Sequence, residues 1–145
     1  MTHVKHPSVV ATIAGNFADT GLSGVAFASR LPNGNTLITD SNNNRVLEID
    51  PHGNVVWSYI TTSDPGSNAA PLPTRAIRLR NGDTLISDQF NDRVIDVDHG
   101  TPATILRTWG TINTPGSGRN TFNAPYDAKV IGDYTGITRP GGDGD

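Results

Sequence analysis

Leu31-Pro-Asn-Gly-Asn-Thr-Leu-Ile-Thr-Asp-Ser-Asn-Asn-Asn-Arg-Val-Leu-Glu-Ile-Asp50 recurs as Leu79-Arg-Asn-Gly-Asp-Thr-Leu-Ile-Ser-Asp-Gln-Phe-Asn-Asp-Arg-Val-Ile-Asp-Val-Asp98, 48 residues further on. Eleven of the twenty positions are identical, and most others exchange Asn for Asp, Thr for Ser, Leu for Ile or Glu for Asp. Self-similarity at a fixed period of this size marks a repeat architecture, in which one supersecondary unit is copied and stacked. Each part of the unit has a mechanical reading. Asn33-Gly34 and Asn81-Gly82 are the dipeptide preferred in two-residue type I′ hairpins, where both central residues need positive φ. Thr36–Thr39 and Thr84–Ser87 are β-prone. Arg45–Asp50 and Arg93–Asp98 alternate polar and apolar, which predicts half-buried strands. Between them stands Asp-x-x-Asn-x-Arg, at Asp40, Asn43 and Arg45 and again at Asp88, Asn91 and Arg93. Asp and Asn suit a turn, and the Arg can pair with an Asp of its own unit or of a neighbouring one.

Working outward, a strand precedes each Asn-Gly (Gly24 to Leu31; Thr74 to Arg80). Another follows each third strand (Val55 to Tyr59; Ile105 to Trp109). The expected fold is therefore all-β, with four antiparallel strands per unit: β-propeller blades, two complete and flanked by partial ones. The segments are residues 1–8 as an N-terminal arm, 9–22 as an outer strand and linker, 23–60 as blade 1, 73–110 as blade 2, 123–138 as the start of a third blade and 139–145 as a Gly-rich tail. Pro125 and Ala128 echo Pro73 and Ala76, which predicts a third-blade strand from Tyr126 to Ile131, a Gly132-Asp133 turn and a second strand from Tyr134 to Thr138. Val9–Ile13 reads as an outer fourth strand without the blade before it.

The composition agrees. With 16 Gly and 10 Pro the chain reads as many short strands joined by turns, and nowhere does a 3.6-residue apolar period appear. The net charge of −3 and the lack of a basic stripe argue against nucleic acid as a partner. No apolar run approaches the ~20 residues needed to span a bilayer as a helix. Zero cysteines remove disulfides and thiolate chemistry together.

The strings LPNGNTLITDSNNNRVLEIDPHGNVVWSY and LRNGDTLISDQFNDRVIDVD resemble NHL repeats. They are also similar to the blades of quinoprotein-like, arylsulfotransferase-type propellers. The resemblance spans about residues 9–138 and implies the blade. It leaves function open, because such propellers host lyases, transferases, binders and scaffolds. Two blades and a fraction fall short of the ~4 blades of the smallest closed ring. The shortfall implies a segment of a longer protein, several copies closing one ring, or an open head-to-tail polymer.

Candidate chemistry is sparse. No catalytic, metal or cofactor motif is present. His52 and His99 fall in equivalent turns after the third strand and read as turn residues. His3-x-x-His6 has metal-like spacing in an arm. Asp40–Asn44 has oxygen ligands at alternating positions, but lacks the Gly and the closing Glu of a calcium loop. Trp57, Tyr59 and Trp109 suit packing between blades, or stacking on sugars or on another subunit. Arg75 and Arg78 are the ligand-binding candidates, because blade 1 has Phe27 and Arg30 there instead. The long loops 60–73 and 110–124 vary most between the units, and loops carry function. The reading that follows is a non-catalytic propeller scaffold or self-assembling interaction module, leaning extracellular or cell-surface, with a homo-oligomer or filament as the expected state. Strand addition through Val9–Ile13 and Tyr126–Thr138 would join its copies. The alternatives are a fragment of a propeller enzyme (arylsulfotransferase, lyase or quinoprotein type) and a propeller binding carbohydrate, protein or small ligands.

Overall fold

The computed structural model describes residues 21–133. Two four-stranded antiparallel sheets follow one another along the chain, in simple meander order. The first holds β1 (Val25–Arg30), β2 (Thr36–Asp40), β3 (Arg45–Ile49) and β4 (Val55–Ile60). The second holds β5 (Arg75–Arg78), β6 (Thr84–Asp88), β7 (Arg93–Val97) and β8 (Ile105–Gly110). These are two propeller blades. β5 packs against both β1 and β2, so β1 and β5 form the inner edge and β4 and β8 the outer one.

The hairpin turns differ from the expected type I′. Gly34 N–H donates to Leu31 C=O (3.0 Å) and Leu31 N–H to Asn35 C=O (2.8 Å), closing a three-residue loop. Gly34 has φ +89°, while Asn33 is absent from the positive-φ residues. The loop is thus a type I turn followed by a left-handed residue, the bulged hairpin in which only the glycine needs positive φ. Pro32 occupies the turn's first central position, which its fixed φ favours. Leu79–Asp83 repeats the pattern, with Gly82 at φ +95°. Asn33 serves differently: its side-chain Oδ1 accepts from the Asn35 N–H (2.9 Å), closing the turn from the side.

Burial also departs from the half-buried expectation. β2, β6 and β7 are buried at every position, and β3 at all but its first. Stacking accounts for the shared faces, and the segments around Leu22 and Ala128 add cover to the outer ones. Ala28, Ile38, Leu47 and Ile49 form a cluster on the front of blade 1, with Leu22 and Val25. Leu31, Leu37, Val46, Trp57 and Tyr59 on its back meet Ala76, Ile86, Ile95 and Val97 on the front of blade 2. Leu79, Leu85 and Val94 on the back of blade 2 pack with Ala128. Successive side chains of a strand alternate between faces, so Leu37-Ile38 and Leu85-Ile86 each serve two clusters.

The third-blade strand expected from Tyr126 to Ile131 is reduced to one bridge, Val130 to Asp133. The segment still lies along blade 2: Thr74 Oγ1 donates to Tyr126 C=O (2.6 Å), and the Asp133 carboxylate accepts from Arg80 N–H (3.0 Å). Among the described residues no second strand lies beside it to form a ladder. Val9–Ile13, His3, His6, Tyr134–Thr138 and the 139–145 tail lie outside the described residues.

Candidate functional site: the inner strands and the blade junction

The repeat residues turn inward. Asp40 Oδ2 accepts from Asn43 Nδ2 (2.9 Å) and Arg45 Nε (2.6 Å), and its Oδ1 accepts from Ser23 N–H (2.8 Å). Asp88 Oδ2 accepts from Asn91 Nδ2 (2.9 Å) and Arg93 Nε (2.8 Å) in the same way. The spacing Asp-x-x-Asn-x-Arg exists because a single 3-10 turn, Ser41–Asn43 or Gln89–Asn91, separates the two strands. Asn44 and Asp92 then take left-handed φ of 54° and 55°, which Asn and Asp tolerate better than most residues.

Blade 2 adds a link to its predecessor. Arg93 Nη2 donates to Asp64 (2.6 Å), and Tyr59 Oη donates to the same carboxylate (2.5 Å). The Arg therefore pairs within its own blade and with the preceding unit at once. Burial alone would lower the Arg93 pKa, but Asp64 and Asp88 outweigh it and raise it. Burial raises Tyr59, and its bond to Asp64 raises it further. Asp88 is also raised by burial, against the pull of Asn91 and Arg93. Arg45 and Arg93 are thus engaged by the repeat aspartates, Arg93 from both blades at once.

A second junction lies nearer the opposite end of the blades. Glu48, on β3, is buried. Its carboxylate accepts from Arg78 Nη2 (2.8 Å) and from His99 Nε2 (2.7 Å), both of blade 2, and from Asn35 Nδ2 (2.7 Å). Trp57 is the platform: the His99 ring stacks on it (5.5 Å, 14°), and the Arg78 guanidinium stands 5.6 Å from its centroid. Burial alone would raise the Glu48 pKa. The bonds from Asn35, Arg78 and His99 reverse this and hold it at about 2. Arg78, a ligand-binding candidate in the sequence, is buried and joins the two blades through Glu48. His99, read as a turn residue, belongs to the same clamp, whereas His52 stays in an exposed turn. Glu48 and Asp64 were missed by the motif reading. The signal for Glu48 was present: an acid stands at one position of both apolar third strands, as Glu48 and Asp96.

Arg75 is different. It sits at the start of inner strand β5, over the Phe27 ring of β1 (4.1 Å), with its Nε 3.3 Å from Asp127. Lys129 Nζ reaches the other oxygen of Asp127 (2.8 Å). Phe27 and Arg75 are 48 residues apart, hence equivalent, and Asp127 takes the corresponding place in the Pro-x-x-Ala register of the third unit. All three are only partly buried or exposed. Inner strands therefore present a row, Phe27, Arg75, Asp127 and Lys129, whose residue types change from unit to unit.

Trp57 and Tyr59 are buried in the junction and offer no face to a sugar, while Trp109 is 41% exposed. Among the described residues no group of three or more His, Asp and Glu side chains is placed to hold a metal ion, and no helix is long and apolar enough to cross a membrane.

Solved structures are similar to part of the chain at low identity. The chain is similar to a catalytically inactive virginiamycin B lyase from Staphylococcus aureus crystallised with quinupristin (15% identity, TM-score 0.45). It is similar also to a protein of unknown function from Bacteroides caccae (20%, 0.45) and to a streptogramin B lyase (19%, 0.45). Each alignment covers 63% of this chain. The chain spans less than a third of these proteins: 28%, 30% and 27% of their respective lengths. No family model and no curated protein matches the sequence.

Proposed function

We propose that this chain is a segment of a larger β-propeller that handles a small polar or acidic ligand on its inner strands, through Arg75 with Phe27, Asp127 and Lys129. One observation carries the reading. Residues that repeat between blades (Asp40 and Asp88, Asn43 and Asn91, Arg45 and Arg93) are consumed in internal bonds, whereas the inner-strand row changes character in every unit. Variation presented by a rigid frame is where binding resides. The self-assembling scaffold suggested by the incomplete blade count and the lack of a catalytic motif is less well supported. The inner edge of blade 2's open face is occupied by residues 126–133 of the same chain, where another copy would have to dock.

A second reading is a propeller enzyme segment, of lyase, arylsulfotransferase or quinoprotein type. It draws on the mutual contact of Arg75, Asp127 and Lys129, since paired titratable groups on an open face are the raw material of acid–base chemistry. NHL-like blades fit both readings. The test is a calorimetric screen of the purified chain against acidic and neutral monosaccharides. Saturable binding that Arg75→Ala weakens by at least about tenfold (~1.4 kcal/mol) supports the proposal. Binding indifferent to Arg75, or no binding across the screen, rejects it.

A further inference from the structure

The outer edge of blade 1 carries a feature that neither the repeat nor the inner-strand row explains. An open groove of about 450 Å³ runs along β4, lined by Val55 to Ile60, Ser63 and residues 100–103. Its far wall is the β7–β8 turn of blade 2. In blade 1 the matching turn closes with Asp50 N–H donating to Asn54 C=O (2.9 Å). In blade 2 the closure is Asp98 N–H to Thr104 C=O (3.0 Å), so the second turn is two residues longer. The longer turn borders β4 and makes a trough of what would otherwise be an open rim.

We infer that this trough binds an extended, uncharged peptide segment of a partner protein, added as a strand to the β4 edge. Two observations define the occupant. β4 ends its sheet, so one row of its backbone N–H and C=O groups has no strand to pair with among the described residues. A β-strand satisfies such a row, whereas a helix or a sugar does not. The lining holds no charged residue, while Val55, Val56 and Ile60 are about half exposed, so an apolar, neutral side-chain set is matched. The matching edge of blade 2 is guarded. β8 carries Arg107, whose side chain is 61% exposed, and a charge on an edge strand discourages pairing.

The probe is a fluorescein-labelled, end-capped Thr-Val-Thr-Val-Thr-Val peptide, titrated with the full chain and followed by anisotropy. Saturable binding is expected. It should weaken by about tenfold or more when alternate peptide nitrogens are methylated, and by a similar factor in Val56→Lys and Ile60→Lys. Both variants change exposed side chains, and circular dichroism checks that each folds. Arg75→Ala should leave peptide binding unchanged, which separates this site from the inner-strand row. Equal binding of the methylated peptide would reduce the contact to unspecific apolar adhesion and overturn the proposal, as would absence of binding. A concentration-dependent dimer abolished by Val56→Lys would assign the edge to a second copy and overturn it equally.

Discussion

Among the described residues, the back of blade 1 and the back of blade 2 are the same surface built twice, once covered and once open. On blade 1, Glu48 is neutralised from across the junction by Arg78 and His99, and Trp57 and Tyr59 are buried beneath blade 2. On blade 2 the acid is Asp96, and Arg107 of its own blade replaces the partner from across (2.7 Å). Strand register makes Arg107 the counterpart of Trp57 and Trp109 the counterpart of Tyr59. Val130 takes the place that Arg78 fills in the preceding unit, by the Pro-x-x-Ala register. One Asp96 oxygen remains buried without a donor. A small apolar trough, lined by Leu85, Val94, Trp109, Phe122 and Val130 among others, marks where a neighbouring layer would seat. The difference teaches that a blade's acid is always paired. What varies is whether the cation comes from the next blade, which locks the two together, or from the same blade, which leaves that face independent.

The sharpest way to break this comparison is to remove matching groups on the two faces. Arg78→Ala strands the buried Glu48 with His99 as its remaining ion partner, and Trp57→Ala empties the junction. Each should cost about 3–5 kcal/mol in urea unfolding. Arg107→Ala should cost less, about 1.5–3 kcal/mol, because its exposed side chain gives way to water beside Asp96. Trp109→Ala, at a half-open site, should cost about 1 kcal/mol or less. If the Arg78 and Arg107 variants lose the same stability, the distinction between a clamp and a local pair fails.

Acid titration probes the same clamp without mutation. The Glu48 carboxyl, ordinarily near 4.5, is held at about 2. A depressed carboxyl stabilises the fold fully above its unfolded pKa, and that stability drains away as pH falls toward the folded value. Melting temperature should therefore drop between about pH 5 and pH 2, more than in Glu48→Gln, which has no carboxyl to titrate. Asp88 works with the opposite sign. Burial raises its pKa, so its protonation begins earlier in the folded protein and favours it as pH falls. An acid limb unchanged in Glu48→Gln would move the origin of acid sensitivity away from the junction.

How far the sequence discloses this depends on whether a feature is local. The four-strand unit was legible because hairpin and turn chemistry repeat within a 20-residue string. The Asp-x-x-Asn-x-Arg turn was legible for the same reason. The pairing of Arg78 was not legible, because Glu48 lies 30 residues earlier on another blade and only stacking joins them. The half-buried pattern expected of the third strands failed at Glu48 and Asp96 for the same cause: polar residues in a doubly covered strand are hidden once a partner reaches them. Arg75 stays partly exposed, because only Phe27 and Asp127 flank it among the described residues. Asp127 and Lys129 lacked any motif and became neighbours of Arg75 only through the Pro-x-x-Ala register.

The smallest expected effect supplies the control for the whole comparison. Gly34 and Gly82 hold left-handed φ of 89° and 95° in equivalent turns, and a Cβ built on either meets nothing within 4 Å. Substitution by Ala therefore costs only the backbone penalty of a left-handed L-residue, about 1 kcal/mol at each site. Both turns lie at the ends of hairpins; Asn35 of the first bonds Glu48 and Arg80 of the second bonds Asp133, but the glycines themselves have no side chain and neither substitution removes those groups. Gly34→Ala and Gly82→Ala should then lose equal stability, measured as a shift in urea midpoint at unchanged slope. Equality would show that the two blades unfold as one cooperative body, so that unequal losses at Arg78 and Arg107 belong to the faces themselves. A markedly smaller loss at Gly82, or a second transition, would mean that blade 2 melts separately. The contrast between the two faces would then reflect which blade unfolds first rather than how its acid is paired.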